Sequence, residues 1–336
     1  MNGLDRILAA ARFQPTDRVP FAPLLFGHAA AAAGVGIDAY VRDGKLLAEC
    51  QLRERGRYGG DAVFAFMDFG VETEALGSRL KYYERQYPDV VEYILAPGDD
   101  ASALEPPDPA RDGRMPEMLR AVSLLRRTLG DTVLVAGAVA GPMTLATQLY
   151  GTEIALYLAA DDHRRFEAAL DLAVGVALRY GAAILATGAH GVVVFDPAAS
   201  GAVVPAAFFR ELLRPRLTRL MTGLRAAGAV LTWLNIAGPT GDILPHYPEI
   251  GADIATFDYY VDAAAARRLL PGTCLAGNLK SLDFLDPAPT ALAARARGLM
   301  DAFADRGGFI LSSGCEIPPE ADASNLAALA EAAAAG

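Results

Sequence analysis

Two aspartates end apolar runs that have the length and composition of buried strands. Asp68 follows Asp61–Met67, and Asp196 follows Gly191–Phe195. A carboxyl group at the end of such a strand, closed off from water, has its pKa raised by desolvation. It can then hand a proton to a leaving oxygen or nitrogen. Polar or turn residues stand at the matching places after other apolar runs: His28, the Gly141–Met143 turn carrying Met143, Asn235, Asp258, Asn278, and the Ser312–Cys315 stretch. These residue types also cap loops and helix starts, so a structural role is the competing expectation at every one of them.

Other chemistry-bearing residues point to bland roles. Lys280 follows the Thr273–Gly277 run and reads as a surface lysine, with an anionic substrate as the alternative. His190 precedes a strand and is expected to be structural, while Arg214, Arg216, Arg219 and Arg225 form one solvated helix face. Asp161 and His163 open like the corrinoid-binding pattern D-x-H-x-x-G, but Phe166 stands where the glycine belongs, so the segment is expected to be a solvated helix start. The chain contains no P-loop, no G-x-S-x-G elbow and no H-E-x-x-H.

The elements that must position these residues alternate. Eight short apolar runs occur: Val19–Phe26, Asp61–Met67, Thr132–Gly141, Gly191–Phe195, Val230–Ala237, Ile254–Phe257, Thr273–Gly277 and Gly308–Ser312. Continuous apolar runs are the signature of parallel strands buried on both faces. Helical periodicity lies between most of them, over Lys45–Arg57, Met115–Leu129, Arg164–Thr187, Ala207–Ala227, Ala263–Leu270, Thr290–Arg306 and Asn325–Ala335. The pattern predicts a (β/α)8 TIM barrel with its site at the C-terminal ends of the strands. Arg79–Tyr83 and Val90–Leu95 predict a β-hairpin inserted after the second strand, followed by a surface loop over Pro97–Arg114. No G-x-G-x-x-G follows a strand, which argues against a doubly wound sheet. One domain over residues 1–336 is expected.

Composition narrows the function class. The 336 residues are 53% hydrophobic and carry a net charge of −10, with a pI near 5.0. An acidic surface argues against nucleic-acid or anionic-membrane partners. Three scattered cysteines do not make a disulfide framework. The opening MNGLDRILAAARFQPTDR reads as an amphipathic helix and a proline turn, not a signal peptide, and no unbroken apolar run reaches the length of a membrane span. A cytoplasmic protein is expected, with a homodimer as an open assembly.

Several segments together resemble the uroporphyrinogen decarboxylase superfamily: TDRVP at 16–20, MDFGVETEALG at 67–77, AGPMTLATQLYG at 140–151, FDPAASGAVVPAAF at 195–208, LNIAGPT at 234–240, CLAGN at 274–278 and GCEIPPEADASN at 314–325. The resemblance implies a (β/α)8 barrel and one of two activities, decarboxylation of uroporphyrinogen or cobalamin-dependent methyl transfer. The decarboxylases carry arginines after the first strand to hold propionates, whereas that stretch is FAPLLFGH at 21–28. Their active-site tyrosine corresponds to Gln148 and their late histidine to Cys315. Only Asp68 matches their catalytic aspartate.

The methylcobamide:coenzyme M-type methyltransferase branch is the nearer resemblance, through GlyHis at 27–28, the run at 71–77 and GCEIPP at 314–319. That branch implies a zinc held by an H-x-C pair and a later cysteine, which activates an acceptor thiol. The corresponding positions are Asn235, Ala237 and Cys315, so the usual zinc site is not expected, and no metal residues are assigned. Three expectations stand. The first is a corrinoid-linked methyltransferase that demethylates an O- or N-methyl donor, with cobalamin carried by a partner protein, Asp68 and Asp196 handling protons, and His28, Met143, Gln148, Asn235, Asp258, Asn278 and Cys315 lining the substrate pocket. The second is a different metal set, such as Cys315 with Glu316 or Asp258. The third is a barrel that binds a small ligand without catalysis. A decarboxylase-type lyase is the remaining alternative.

Overall fold

In the computed structural model, which describes residues 1–335, seven of the apolar runs pair into one curled parallel sheet. Its strands are β1 (Ala62–Ala65), β4 (Leu134–Ala140), β5 (Gly191–Phe195), β6 (Leu231–Asn235), β7 (Ile254–Phe257), β8 (Cys274–Leu279) and β9 (Phe309–Ser313), hydrogen-bonded in that order. A separate antiparallel pair joins β2 (Arg79–Lys81) to β3 (Asp89–Glu92).

Strand alternation builds two cores. In β5, Val193 and Phe195 face the inside of the curl, with Ala136 and Ala138 of β4, Phe64 of β1 and Trp233 of β6. Val192 and Val194 of β5 and Val135 and Val139 of β4 face the surrounding helices. A period of two thus divides each strand between interior and outer layer, as a parallel sheet covered by helices requires. The N-terminal helix Gly3–Ala11 closes the lower end, packing Leu4, Ile7 and Ala10 onto the inner cluster. Asp61 locks this end by accepting from Arg6, from Arg18 and from the Phe21 amide. This is the structural work of the TDRVP segment.

The first expected strand, Val19–Phe26, is corrected. Only Phe21 makes a bridge, to Leu311, and a helix already begins at Phe26. Pro20 and Pro23 have no N–H to give a ladder, which limits the pairing. The short segment nevertheless bonds to both edges of the sheet. The Ala22 amide donates to the Leu311 carbonyl and the Leu311 amide to Pro20, while the Asp61 amide donates to Phe21.

The helices Gly44–Tyr58, Met115–Leu129, His163–Ala186, Arg214–Ala226, Pro289–Phe303 and Ala323–Ala335 form much of the outer layer. His163–Ala186 is long and apolar enough to cross a membrane, but it packs against β4 and the helices Pro142–Tyr150 and Arg214–Ala226, with Phe166, Leu170, Val174 and Ile184 buried. The arginines of Arg214–Ala226 pair outward, Arg216 with Glu167 and Asp171, Arg219 with Asp171 and Arg214 with Glu249. His190 accepts the Val135 amide, which fits its structural reading.

Candidate active site at the strand C-termini

A cavity of about 440 Å³ opens where β1 and β9 end. Phe66, Asp68, Phe69 and Gly70 follow β1, Gln148 comes from the helix after β4, Glu316 follows β9, and Tyr87–Val90 and Tyr93 come from the β2–β3 pair. Two other clefts of about 450 Å³ are present, one outside the Phe26–Ala32 helix around Gly34–Ile37, Glu84 and Pro319, the other at the opposite end beside Phe13–Pro20 and Arg306. Neither includes the residues that directly follow β1 or the helix after β4, and a fold of this kind assembles its chemistry at the strand ends.

Asp68 sits at the floor, 5% exposed, and is fully committed. Arg114 grips it with two bonds, Nη1 to Oδ2 at 2.5 Å and Nη2 to Oδ1 at 3.0 Å, and the Gly70 amide donates to Oδ1 at 2.7 Å. The same guanidinium donates through Nε to Glu74 at 2.6 Å and through Nη1 to the Val41 carbonyl at 2.8 Å, and lies over the Tyr82 ring. This bidentate geometry is the strong form of a carboxylate–arginine pair. The expected surface loop over Pro97–Arg114 is corrected at its end, because Arg114 is buried. Its partner lies 46 residues away, so no local pattern marks it.

Glu316 is the second carboxyl of the cavity. Its Oε1 accepts from the Gly27 amide at 2.8 Å and from the Tyr87 hydroxyl at 2.5 Å. A Cβ on Gly27 would stand 3.0 Å from Pro319, 3.1 Å from the Tyr87 hydroxyl and 3.3 Å from Oε1, so glycine is what lets these groups reach the backbone. Burial pushes Glu316 up to about 7, against the lowering effect of both hydrogen bonds. Oε1 already has two donors, which leaves Oε2 as the oxygen available to a ligand.

The other expected site residues are placed differently. Asp196 is 0% exposed and faces a helix N-terminus: it accepts from the Thr144 amide at 2.7 Å and the Met143 amide at 3.3 Å. Burial raises it to about 6. Gly141 has no room for a side chain, since a Cβ would lie 2.3 Å from the Asp196 Cβ and Cγ. Met143 is fully buried in the outer core, not in the pocket. His28 is also outside the pocket. Its ring is buried beside Glu54, Nε2 to Oε2 3.7 Å, and against the backbone of Pro318 and Pro319. Burial lowers the His28 pKa and raises that of Glu54. Gln148 does line the cavity. Glu72, unremarked in the sequence, is buried behind β1, accepts the Ala140 amide at 2.8 Å and is pushed up to about 7 by burial.

Asn235, Asp258, Asn278 and Cys315 occupy the other side of the same end. Asp258 accepts from the amides of Gly238 and Tyr259, both at 2.6 Å, and is raised by burial. The Asn278 side chain donates to the Val261 carbonyl at 2.8 Å. The Asn235 carbonyl accepts the Asp196 amide. Cys315 is open to solvent yet walled by protein. Desolvation, with Asp258 and Glu316 nearby, pushes its thiol up to about 11, so it is protonated at neutral pH. The zinc that the resemblance implies does not fit this donor set. Asn235 offers an amide and Ala237 offers nothing, which leaves Cys315 as the single ligand of the three positions, and among the described residues no three His, Cys, Asp or Glu side chains converge on a point.

Residues 2–335 match the uroporphyrinogen decarboxylase (URO-D) family. A methylcobamide:CoM methyltransferase from Methanosarcina barkeri is 26% identical over 334 residues, covering 97% of this chain and 96% of its own. A uroporphyrinogen decarboxylase from Nocardia farcinica is 30% identical over 320 residues, covering 89% and 85%. A solved methyltransferase from Methanosarcina mazei superposes with a TM-score of 0.91 over 100% of this chain and 99% of its own, at 24% identity, a likeness of fold. With a match running almost from end to end, the chain belongs to the uroporphyrinogen decarboxylase family.

Proposed function

We propose that the chain is a corrinoid-linked methyltransferase that takes a methyl group from a small donor without zinc–thiolate chemistry. One observation carries the reading: the cavity is lined by aromatic rings and carboxyls, and no lysine or arginine lines it. Arg114, the one guanidinium near its floor, is saturated by Asp68, Glu74 and Val41. A substrate with many carboxylates would bury charge without partners, at a cost of several kcal/mol per group, which weighs against uroporphyrinogen decarboxylation. Similarity to methylcobamide-using relatives supports corrinoid chemistry.

Within this reading the chain's residues bind and orient. Phe66, Phe69 and Tyr93 hold the donor, Asp68 with Arg114 fixes the floor, and Asp196 keeps the helix after β4 in register. The corrinoid arrives on a separate carrier protein as the methyl acceptor. Exposed Tyr259, Tyr260 and Leu282, on the loops after β7 and β8, give that carrier an apolar surface at this end of the sheet. The test is methylation of cob(I)alamin, followed by its absorption spectrum, against a panel of methylated amines and methyl ethers. Turnover with at least one donor is expected; no spectral change with any of them sinks the reading.

A further inference from the structure

We propose that the ligand of the mouth cavity is a methylated ammonium cation, seated among Phe66, Phe69, Tyr87 and Tyr93 with Glu316 as its counter-charge. This rests on the methyltransferase reading for what happens to the ligand, but not for what binds.

The walls set the chemistry. Four aromatic side chains line the space, with Phe66 and Phe69 packed edge to face at 5.2 Å between centroids. Ring faces attract cations, and aromatic cages are the common device for quaternary ammonium groups, which have no N–H to donate. The charges agree. Asp68 is cancelled by Arg114, and Asp89 stands opposite Lys81 in the β2–β3 pair, while Glu316 is held by the Gly27 amide and the Tyr87 hydroxyl, neither of them a cation. An anionic ligand finds no partner in this cavity. A neutral one leaves the Glu316 Oε2 facing an apolar surface, at a desolvation cost.

Asp68 is locked in its ion pair and Asp196 caps a helix, which leaves Glu316 as the cavity carboxyl with an oxygen free; beside a cation it serves as a carboxylate and gives up no proton. A quaternary ammonium needs no proton. Its carbon–nitrogen bond breaks with the electron pair staying on nitrogen, which leaves as a neutral tertiary amine. The methyl carbon takes its new bond from the electron pair of the acceptor's reduced cobalt, which is formally oxidised by two. Charge and electrons balance with no proton moved.

The experiment is calorimetric binding to the intact protein at pH 8, without corrinoid. Three probes of one shape are compared: choline, its uncharged isostere 3,3-dimethyl-1-butanol, and the anion 3,3-dimethylbutyrate. Choline is expected to bind roughly fivefold to thirtyfold tighter than the alcohol, the range a desolvated cation–aromatic contact supplies, and the anion not to bind. Phe69→Leu keeps apolar bulk and Glu316→Gln keeps the hydrogen-bonding shape; each should weaken choline binding by a larger factor than binding of the alcohol. Equal binding of choline and the alcohol, preference for the anion, no choline binding at all, or wild-type choline affinity in both variants overturns the proposal. Choline binding with no methyl transfer to cob(I)alamin from any donor of the panel would retire the methyltransferase reading and leave this one standing. Transfer from methyl ethers with no choline binding would do the reverse.

Discussion

Arg114 serves two carboxylates from one buried position, and that makes it the residue on which the cavity floor depends. Its side chain and that of Asp68 are 8% and 3% exposed, so neither can turn to water if the other is lost. Removing one partner of such a pair strands a charge and costs about 3–5 kcal/mol, whereas removing both costs far less. Arg114→Leu is therefore expected to lower the urea unfolding free energy by about that amount. Adding Asp68→Asn and Glu74→Gln to it should restore more than half. If the triple variant is no more stable than Arg114→Leu alone, the network is not what holds the floor. At this scale the sequence was partly legible. Asp68 stands directly after an apolar run, so its place at the strand end followed from periodicity. Arg114 and Glu316 did not follow from anything local. One is joined to its partner across 46 residues and the other to Gly27 across 289, contacts made only by the closed fold.

The antiparallel pair β2–β3 contributes the wall of the cavity and little of its stability. Its strands expose most of their residues, yet Tyr87, Asp89, Val90 and Tyr93 close over the ends of β1 and β9. Tyr93→Ala, which removes a half-exposed wall residue, is expected to preserve the circular-dichroism spectrum and shift the unfolding midpoint little, while weakening choline binding severalfold. Unchanged binding would show that the wall is not part of the site. The strand residues themselves were readable because buried parallel strands are uninterrupted apolar runs. The errors came where one element gives way to another. Placing His28 at the mouth assumed an extended chain through Phe26. The helix starts at Phe26 instead, and each residue of a helix turns the side chain by about 100°. Gly27 therefore faces Glu316 and His28 faces Glu54. Met143 fell the same way, into the first turn of the Pro142–Tyr150 helix, where its side chain joins the outer core.

For the molecule as a whole, buried carboxyls set a dependence on pH. Burial holds Glu72 at about 7, Asp196 at about 6 and Glu316 at about 7, all above their values in an unfolded chain. A group raised in this way stabilises the folded state fully below its unfolded pKa, near 4, and that contribution is lost as pH rises through the folded pKa. The half-buried surface aspartates that are lowered, such as Asp100 and Asp108, change their contribution only below about pH 4. His28 and His190 are lowered by burial and act in the opposite sense, since the unfolded chain takes up their protons first as pH falls through about 6.5. The wild-type profile therefore mixes two signs, and a difference against one variant separates them. Glu72→Gln suits this because Glu72 lies behind β1, outside the cavity, and glutamine mimics the protonated acid while keeping an oxygen for the Ala140 amide. The variant should stand within about 1 kcal/mol of wild type at pH 5 and gain on it as pH rises to 8. A rise from 4.5 to about 7 is some 2.5 units, so the gap should approach roughly 3 kcal/mol at about 1.4 kcal/mol per unit. Urea denaturation at pH 5, 6, 7 and 8 measures it, and a gap that stays constant across that window would mean that Glu72 is already ionised in the folded protein.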